Sequence, residues 1–448
     1  MMRPAITGGA RASPVIRSFG SEAGLKAARS SAAATRASTQ GLYANGLPDA
    51  ARQVVHHPAW VIIGRLVSLS RRRLAATLVA LWVIAFAATN ALADALPPST
   101  WVGLKSLPRQ GRTAIFALAV DPSNSQRLIA GNSEGTLLRS TDGASTWTSV
   151  HTGKAALTTI AFSPFNSGFV VAGTRGSGGL VSRDGGSTWV VATGLEGRQV
   201  RVFSFSLTIV AAGTDKGVFV SQDGSSWQQS GLANRSIDAL AVTAIHVPVR
   251  LVAGSDGPLT AGTVPMFQSV DGGINWSTLS PAVSGTFVVK LVAGPLPPVG
   301  DTRPVVAGTN AGLFASTDNA ASFVALSGGS VLPSTDYTQI AFITDHHDRF
   351  YAASDGGGSG AGGLWRTNDG GQSFGSLVPP MRSITALAVS NDESPFLYVA
   401  TFRPSDHVAA LWVYRDTGGT PQGPTVSPTS AASGGRTSRP PAPACSTS

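Results

Sequence analysis

From Trp101 onward the chain is written in short apolar runs broken by polar turns, with little of the 3.6-residue periodicity of a helix. One unit shows the pattern in full. Ala117–Val120 is followed by the polar turn Asp121-Pro122-Ser123-Asn124, the run Leu128–Gly131, the run Thr136–Ser140, and a fourth segment opening at Trp147. Corresponding first runs stand at Thr159–Phe162, Val202–Phe205, Ala239–Val242, Val288–Val292, Ile340–Ile343 and Ala386–Val389, which makes seven units. Self-similarity at a period of about 40–50 residues is the mark of a repeating β array, so the pattern predicts an all-β chain.

Between the third and fourth segments a single turn recurs. It reads STDGASTW at Ser140–Trp147 (Asp142), SRDGGSTW at Ser182–Trp189 (Asp184), SQDGSSW at Ser221–Trp227 (Asp223) and SVDGGINW at Ser269–Trp276 (Asp271). Two weaker copies, STDNAASF at Ser316–Phe323 (Asp318) and TNDGGQSF at Thr367–Phe374 (Asp369), bring the number to six. Each position has a local task. Asp and Ser/Thr fold back onto nearby backbone N–H groups. Gly supplies the positive φ of a tight reversal. The closing aromatic re-enters an extended segment, where a flat side chain packs well. A turn repeated in six units serves every unit alike, which favours a structural role for these aspartates over a catalytic one.

These turns resemble the Asp-box (BNR) repeat of β-propellers, and the resemblance covers residues 99–415. It implies a seven-bladed propeller of four-stranded antiparallel blades. The seventh unit, Ser383 to about Arg415, has only three runs, and Thr100-Trp101-Val102-Gly103-Leu104 looks like the missing Trp-led strand. We expect it to complete the last blade, joining both ends of the domain and removing exposed sheet edges.

Charge is unevenly placed. Of the formal net +9, residues 1–73 carry eleven Lys/Arg against Glu22 and Asp49, whereas residues 74–415 carry 20 against 21 acids. A near-neutral repeat region argues against a nucleic-acid groove. Residues 1–73, rich in Ala, Ser, Gly and Arg, read as a disordered basic segment. Arg71-Arg72-Arg73 then precedes the uncharged run Leu74–Ala88, and Ala91-Leu92-Ala93 offers a cleavage site. Residues 74–95 therefore read as a signal peptide or membrane anchor, with membrane contact through 74–91 if uncleaved, and place the remainder outside the cytoplasm. Residues 416–448, rich in Pro, Ser, Thr and Gly, read as a flexible tail. The one cysteine, Cys445, lies there and leaves no intramolecular disulfide.

In propellers of this resemblance the A–B and C–D turns share one face, and ligands usually bind at the other, where the B–C and D–A loops open the funnel. Arg198, Arg235 and Arg382 each stand four residues before a first-strand core and so hold equivalent D–A positions, with Arg109 and Arg112 in the corresponding loop of the first blade. Guanidinium groups gathered round one funnel would favour a carboxylate, a phosphate or an acidic protein surface. Asp336 in the same register of the sixth blade runs against that pattern. Asp345-His346-His347-Asp348 has metal-like composition, but it falls in an A–B turn where adjacent side chains diverge, so a solvated turn is expected and no metal or cofactor. The Gly356–Gly360 loop does not open a helix, so it is not a phosphate loop.

The resemblance includes sialidases, xyloglucan-type glycoside hydrolases, sortilin-like receptors and the photosystem II assembly-factor group. Only Phe402-Arg403-Pro404 approaches the sialidase arginine motif, in the last blade and without its Ile. Asp215, Asp256, Asp336 and Asp406 fall in funnel-side loops and are the candidates for a two-carboxylate glycosidase. The repeat style looks most like the assembly-factor and sortilin-like propellers. The expectation is a monomeric, non-enzymatic, extracytoplasmic propeller binding a protein or polysaccharide, with an extracellular glycoside hydrolase as the alternative.

Overall fold

The computed structural model describes residues 96–419, except 105–106, 108–112, 257–265, 280–282, 284–286, 296–302, 327–331, 333–335, 345, 355–361, 381–382 and 404–407. The expected basic segment, the signal or anchor at 74–95 and most of the tail lie outside the described residues.

The described strands form seven separate four-stranded antiparallel sheets. In the first, Ile115–Asp121 (strand A) pairs with Asn124–Asn132 (B), then Thr136–Ser140 (C) and Thr148–Thr152 (D). The next five sheets repeat this order, with strands A at Leu157–Ser163, Val200–Phe205, Ser236–Ala244, Val288–Ala293 and Tyr337–Ile343. Each strand A lies beside the strands A of the sheets before and after it, and the last, Ile384–Val389, returns to Ile115–Asp121. The molecule is a seven-bladed β-propeller.

Closure follows the predicted route. Trp101–Leu104 pairs antiparallel with Val408–Arg415 as the outer strand of the seventh blade, with Trp101 opposite Tyr414 and Leu104 opposite Leu411. Trp101 is fully buried, its ring centroid is 4.9 Å from that of Tyr414, and its indole N–H donates to Leu377 O at 2.8 Å. The described chain then runs past the expected boundary, because Asp416 is buried and tied to the sixth blade. A boundary read from composition alone placed this residue in the tail; two buried ion pairs hold it in the domain.

Apolar layers lie between successive blades. One joins Ile129 and Leu137 of the first blade to Leu157, Ile160, Phe162 and Leu180 of the second, and six similar clusters complete the circuit. A strand B in mid-blade is therefore covered on both faces, so it reads VVAGT rather than alternating. The glycine of that run has a steric reason. A Cβ on Gly131 would come within 2.5 Å of Leu157 Cβ, and one on Gly308 within 2.4 Å of Tyr337 O. Small residues here let the next blade approach.

The six repeated turns share one hydrogen-bond set. In the second blade Ser182 Oγ donates to Asp184 Oδ1 at 2.8 Å and accepts from Gly186 N at 2.9 Å, while Asp184 accepts from Thr188 N at 2.9 Å. The same Ser/Thr–Asp bond recurs at Ser140–Asp142, Ser221–Asp223, Ser269–Asp271, Ser316–Asp318 and Thr367–Asp369. The turns are stitched to the neighbouring A–B turns of their own blades, as in Gly185 N to Gly168 O at 2.9 Å.

Candidate functional site

Every strand A carries a one-residue register slip near its start, so that Ile115 and Ala117, for example, pair with consecutive residues of strand B. The extra residue bulges, and a bulge re-aims its side chain. These seven residues are Phe116, Thr158, Arg201, Asp238, Val289, Thr338 and Thr385. Several reach across to the next blade. Arg201 forms an ion pair with Asp238, Thr158 Oγ1 donates to Val200 O, and Thr385 Oγ1 donates to Ile115 O at 2.6 Å. Beside them lies a cavity of about 400 Å³ lined by Thr158, Gln199, Arg201, Asp238, Phe287 and Val289.

The larger cavity, about 640 Å³, is lined by the strands A of all seven blades together with residues of the A–B connections, among them Pro122, Pro164, Phe165, Ile245, Pro295 and Thr344. It therefore opens toward the face that carries the repeated turns, opposite to the funnel face expected from sequence. Its walls are mostly apolar, with Ile160, Phe203, Leu240, Leu291 and Ile340 from the strands.

Among the described lining residues two are cationic and none is an acid. Lys290 sits within the apolar strand VVKLVA, one step past the bulge, and among the described residues no hydrogen-bond or ion-pair partner meets its ammonium. Burial lowers its pKa, with no carboxylate to oppose the shift. Arg303, in the A–B connection of the same blade, donates to Gly294 O at 2.6 Å, Val242 O at 3.0 Å and Ala293 O at 3.3 Å. Burial lowers its pKa to about 10.

Of the arginines singled out in the sequence, Arg198 and Arg235 are among the described residues. Arg112 and Arg382 lie outside the described residues. Arg198 and Arg235 line neither cavity. Arg235 is instead stacked 4.7 Å over the Phe267 ring of the fourth blade. Of the carboxylate candidates, Asp215 accepts from Gln199 N at 3.0 Å, Asp336 lines neither cavity, and Asp406 and the side chain of Asp256 are outside the described set. His346, His347 and Asp348 are exposed at the start of strand B in the sixth blade, and among the described residues no cluster suited to a metal ion occurs. Sequence reasoning missed Lys290. The available signal was a lysine at a register position that the other blades fill with Ala, Thr, Val or Gln.

No protein-family model matches the chain, and no curated protein matches it in sequence. Solved structures are similar in fold. YCF48 from Cyanidioschyzon merolae is 16% identical, over 70% of this chain and 98% of that one, with a TM-score of 0.47. U3-55K is 13% identical over 71% of this chain and 100% of that one, with a TM-score of 0.52. An ancestral GH74 enzyme is 18% identical with a TM-score of 0.43; 68% of this chain covers 55% of its length.

Proposed function

We propose that this chain is a non-enzymatic binding propeller of the assembly-factor or sortilin-like kind, its six turns being Asp-box repeats, which acts outside the cytoplasm as a scaffold for a protein or polysaccharide ligand. One observation carries the reading. The central cavity presents two cations and no carboxylate among its described lining residues, while the turn aspartates are each held by hydrogen bonds within their own turns. Hydrolysis of a glycoside needs two carboxyl groups facing one cleft, roughly 5–10 Å apart. A cationic, apolar-walled recess suits retention of a ligand instead.

The test pairs two measurements on the intact chain. Cross-linked capture from native membranes and medium is expected to hold a saturable partner, and incubation with xyloglucan and related β-glucans is expected to release no reducing ends. Turnover of any glycan at catalytic rates would replace this reading with the hydrolase.

A further inference from the structure

Among the described residues, the cavity presents the Lys290 ammonium with no carboxylate facing it. An ammonium without a counter-charge in an apolar enclosure is costly, and proteins ordinarily pair such a group or neutralise it. Lys290 has neither a carboxylate nor a carbonyl partner among the described residues, although Arg303 nearby has three carbonyls. At about 3.3 Å per residue, the backbone of Lys290 lies about 10 Å along strand A from that of Ala293, whose carbonyl Arg303 reaches. Phe162, Phe165, Phe203, Phe205 and Phe342 line the same cavity.

We propose that the central cavity binds a monoanionic amphiphile, a single carboxylate carried on an apolar body, with Lys290 as its counter-ion and the five phenylalanines enclosing the apolar part. This rests on the reading that the propeller retains a ligand, and it names that ligand's chemistry. Arg303 remains cationic but spends three of its five N–H donors on carbonyls, whereas no described group engages the Lys290 ammonium, so a single carboxylate is met first by Lys290. A cavity of about 640 Å³ lies within the usual range for a small-molecule site. The carboxylate can come from a free aliphatic acid or from the C-terminus of an apolar peptide.

Isothermal titration calorimetry on the full chain distinguishes these sources, with octanoate against octanamide and an acetylated apolar tripeptide against its C-terminally amidated twin. At least one acid is expected to bind, and its uncharged match to bind at least tenfold more weakly. Lys290→Met is expected to weaken the acid roughly ten- to hundredfold, the worth of a charge-assisted hydrogen bond. Lys290→Arg is expected to retain part of the affinity. Near-UV circular dichroism checks that both variants fold. Binding of octanoate alone assigns the site to free acids, and binding of the tripeptide alone assigns it to chain ends. If neither acid binds, or the amides or Lys290→Met bind equally well, the proposal is overturned while macromolecular capture stands. Glycan turnover would refute the scaffold reading and leave the calorimetry unaffected.

Discussion

The hydroxyl of Tyr351, in strand B of the sixth blade, donates a 2.6 Å hydrogen bond to the carboxylate of Asp416, the residue just past the last strand of the seventh. Arg349 and Arg366 reach the same carboxylate, and Gly418 N donates to it at 2.9 Å. Burial, then the adjacent carboxylate, pushes the Tyr351 hydroxyl up from its ordinary pKa, so it remains a donor. The clamp fastens the end of the ring to its neighbour.

Replacing Asp416 by Ala strands two arginines and a buried hydroxyl. The expected loss is about 3–5 kcal/mol of unfolding free energy, the usual effect of removing one partner from a buried ionic cluster. Urea titration checks it, and a chain ending at Arg415 should lose a similar amount.

Trp101→Ala removes a fully buried indole and its bond to Leu377 O. Truncating a large core aromatic costs about 3–5 kcal/mol. Here the closing strand should also become protease-sensitive, which limited proteolysis reads directly.

Two glycines separate sterics from backbone strain. Gly186 and Gly272 both have positive φ, +83° and +77°. A Cβ on Gly186 would lie 2.2 Å from Ile129 Cδ1, whereas nothing lies within 4 Å of one on Gly272. Gly272→Ala is expected to cost about 1 kcal/mol from strain, and Gly186→Ala about 2–4 kcal/mol with the overpacking added. Thermal unfolding of both variants measures the difference.

The turn aspartates predict an acid limb. The Thr188 hydroxyl and N–H hold Asp184 at about 2, and the Asn275 N–H with Ser269 does the same for Asp271. A folded pKa below the unfolded value near 3.9 means that the folded chain binds fewer protons between them. Their contribution is complete above that unfolded value and is lost as pH falls toward 2. Substituting Asp184 by Asn should flatten the stability profile in that window alone.

Lys290→Met should stabilise the ligand-free protein by about 1 kcal/mol, because it deletes an uncompensated cation from an apolar enclosure. Calorimetric melting at rising pH should show the gain shrink toward the ordinary lysine pKa, because burial lowers the folded value and the lysine sheds its charge earlier than it does in the unfolded chain.

The repeats were legible because their turns are chemically specific: Ser182, Asp184 and Gly186 each answer a local need that composition displays. The closing strand was legible because Trp101 copies the residue that ends those turns. The cavity was not. Whether Lys290 faces solvent or the ring interior depends on strand position and on a bulge that leaves no sequence mark. Arg198 and Arg235 shared a loop register, but register does not fix where a long side chain lands, and Phe267 captures one of them. Asp416 adjoins a Gly- and Pro-rich segment, so its neighbours in sequence disguise its neighbours in space.

Pairing Trp101 with Tyr414 also sets a timetable for synthesis. The strand made first must wait for the strand made last, and at ribosomal speeds of roughly 5–20 residues per second that delay is about 15–60 s. Throughout it, six nascent blades stand as an open arc with apolar flanks at both ends. The last strand from the ribosome does more than lengthen the chain: it latches a ring whose two ends are otherwise free to join the wrong molecule.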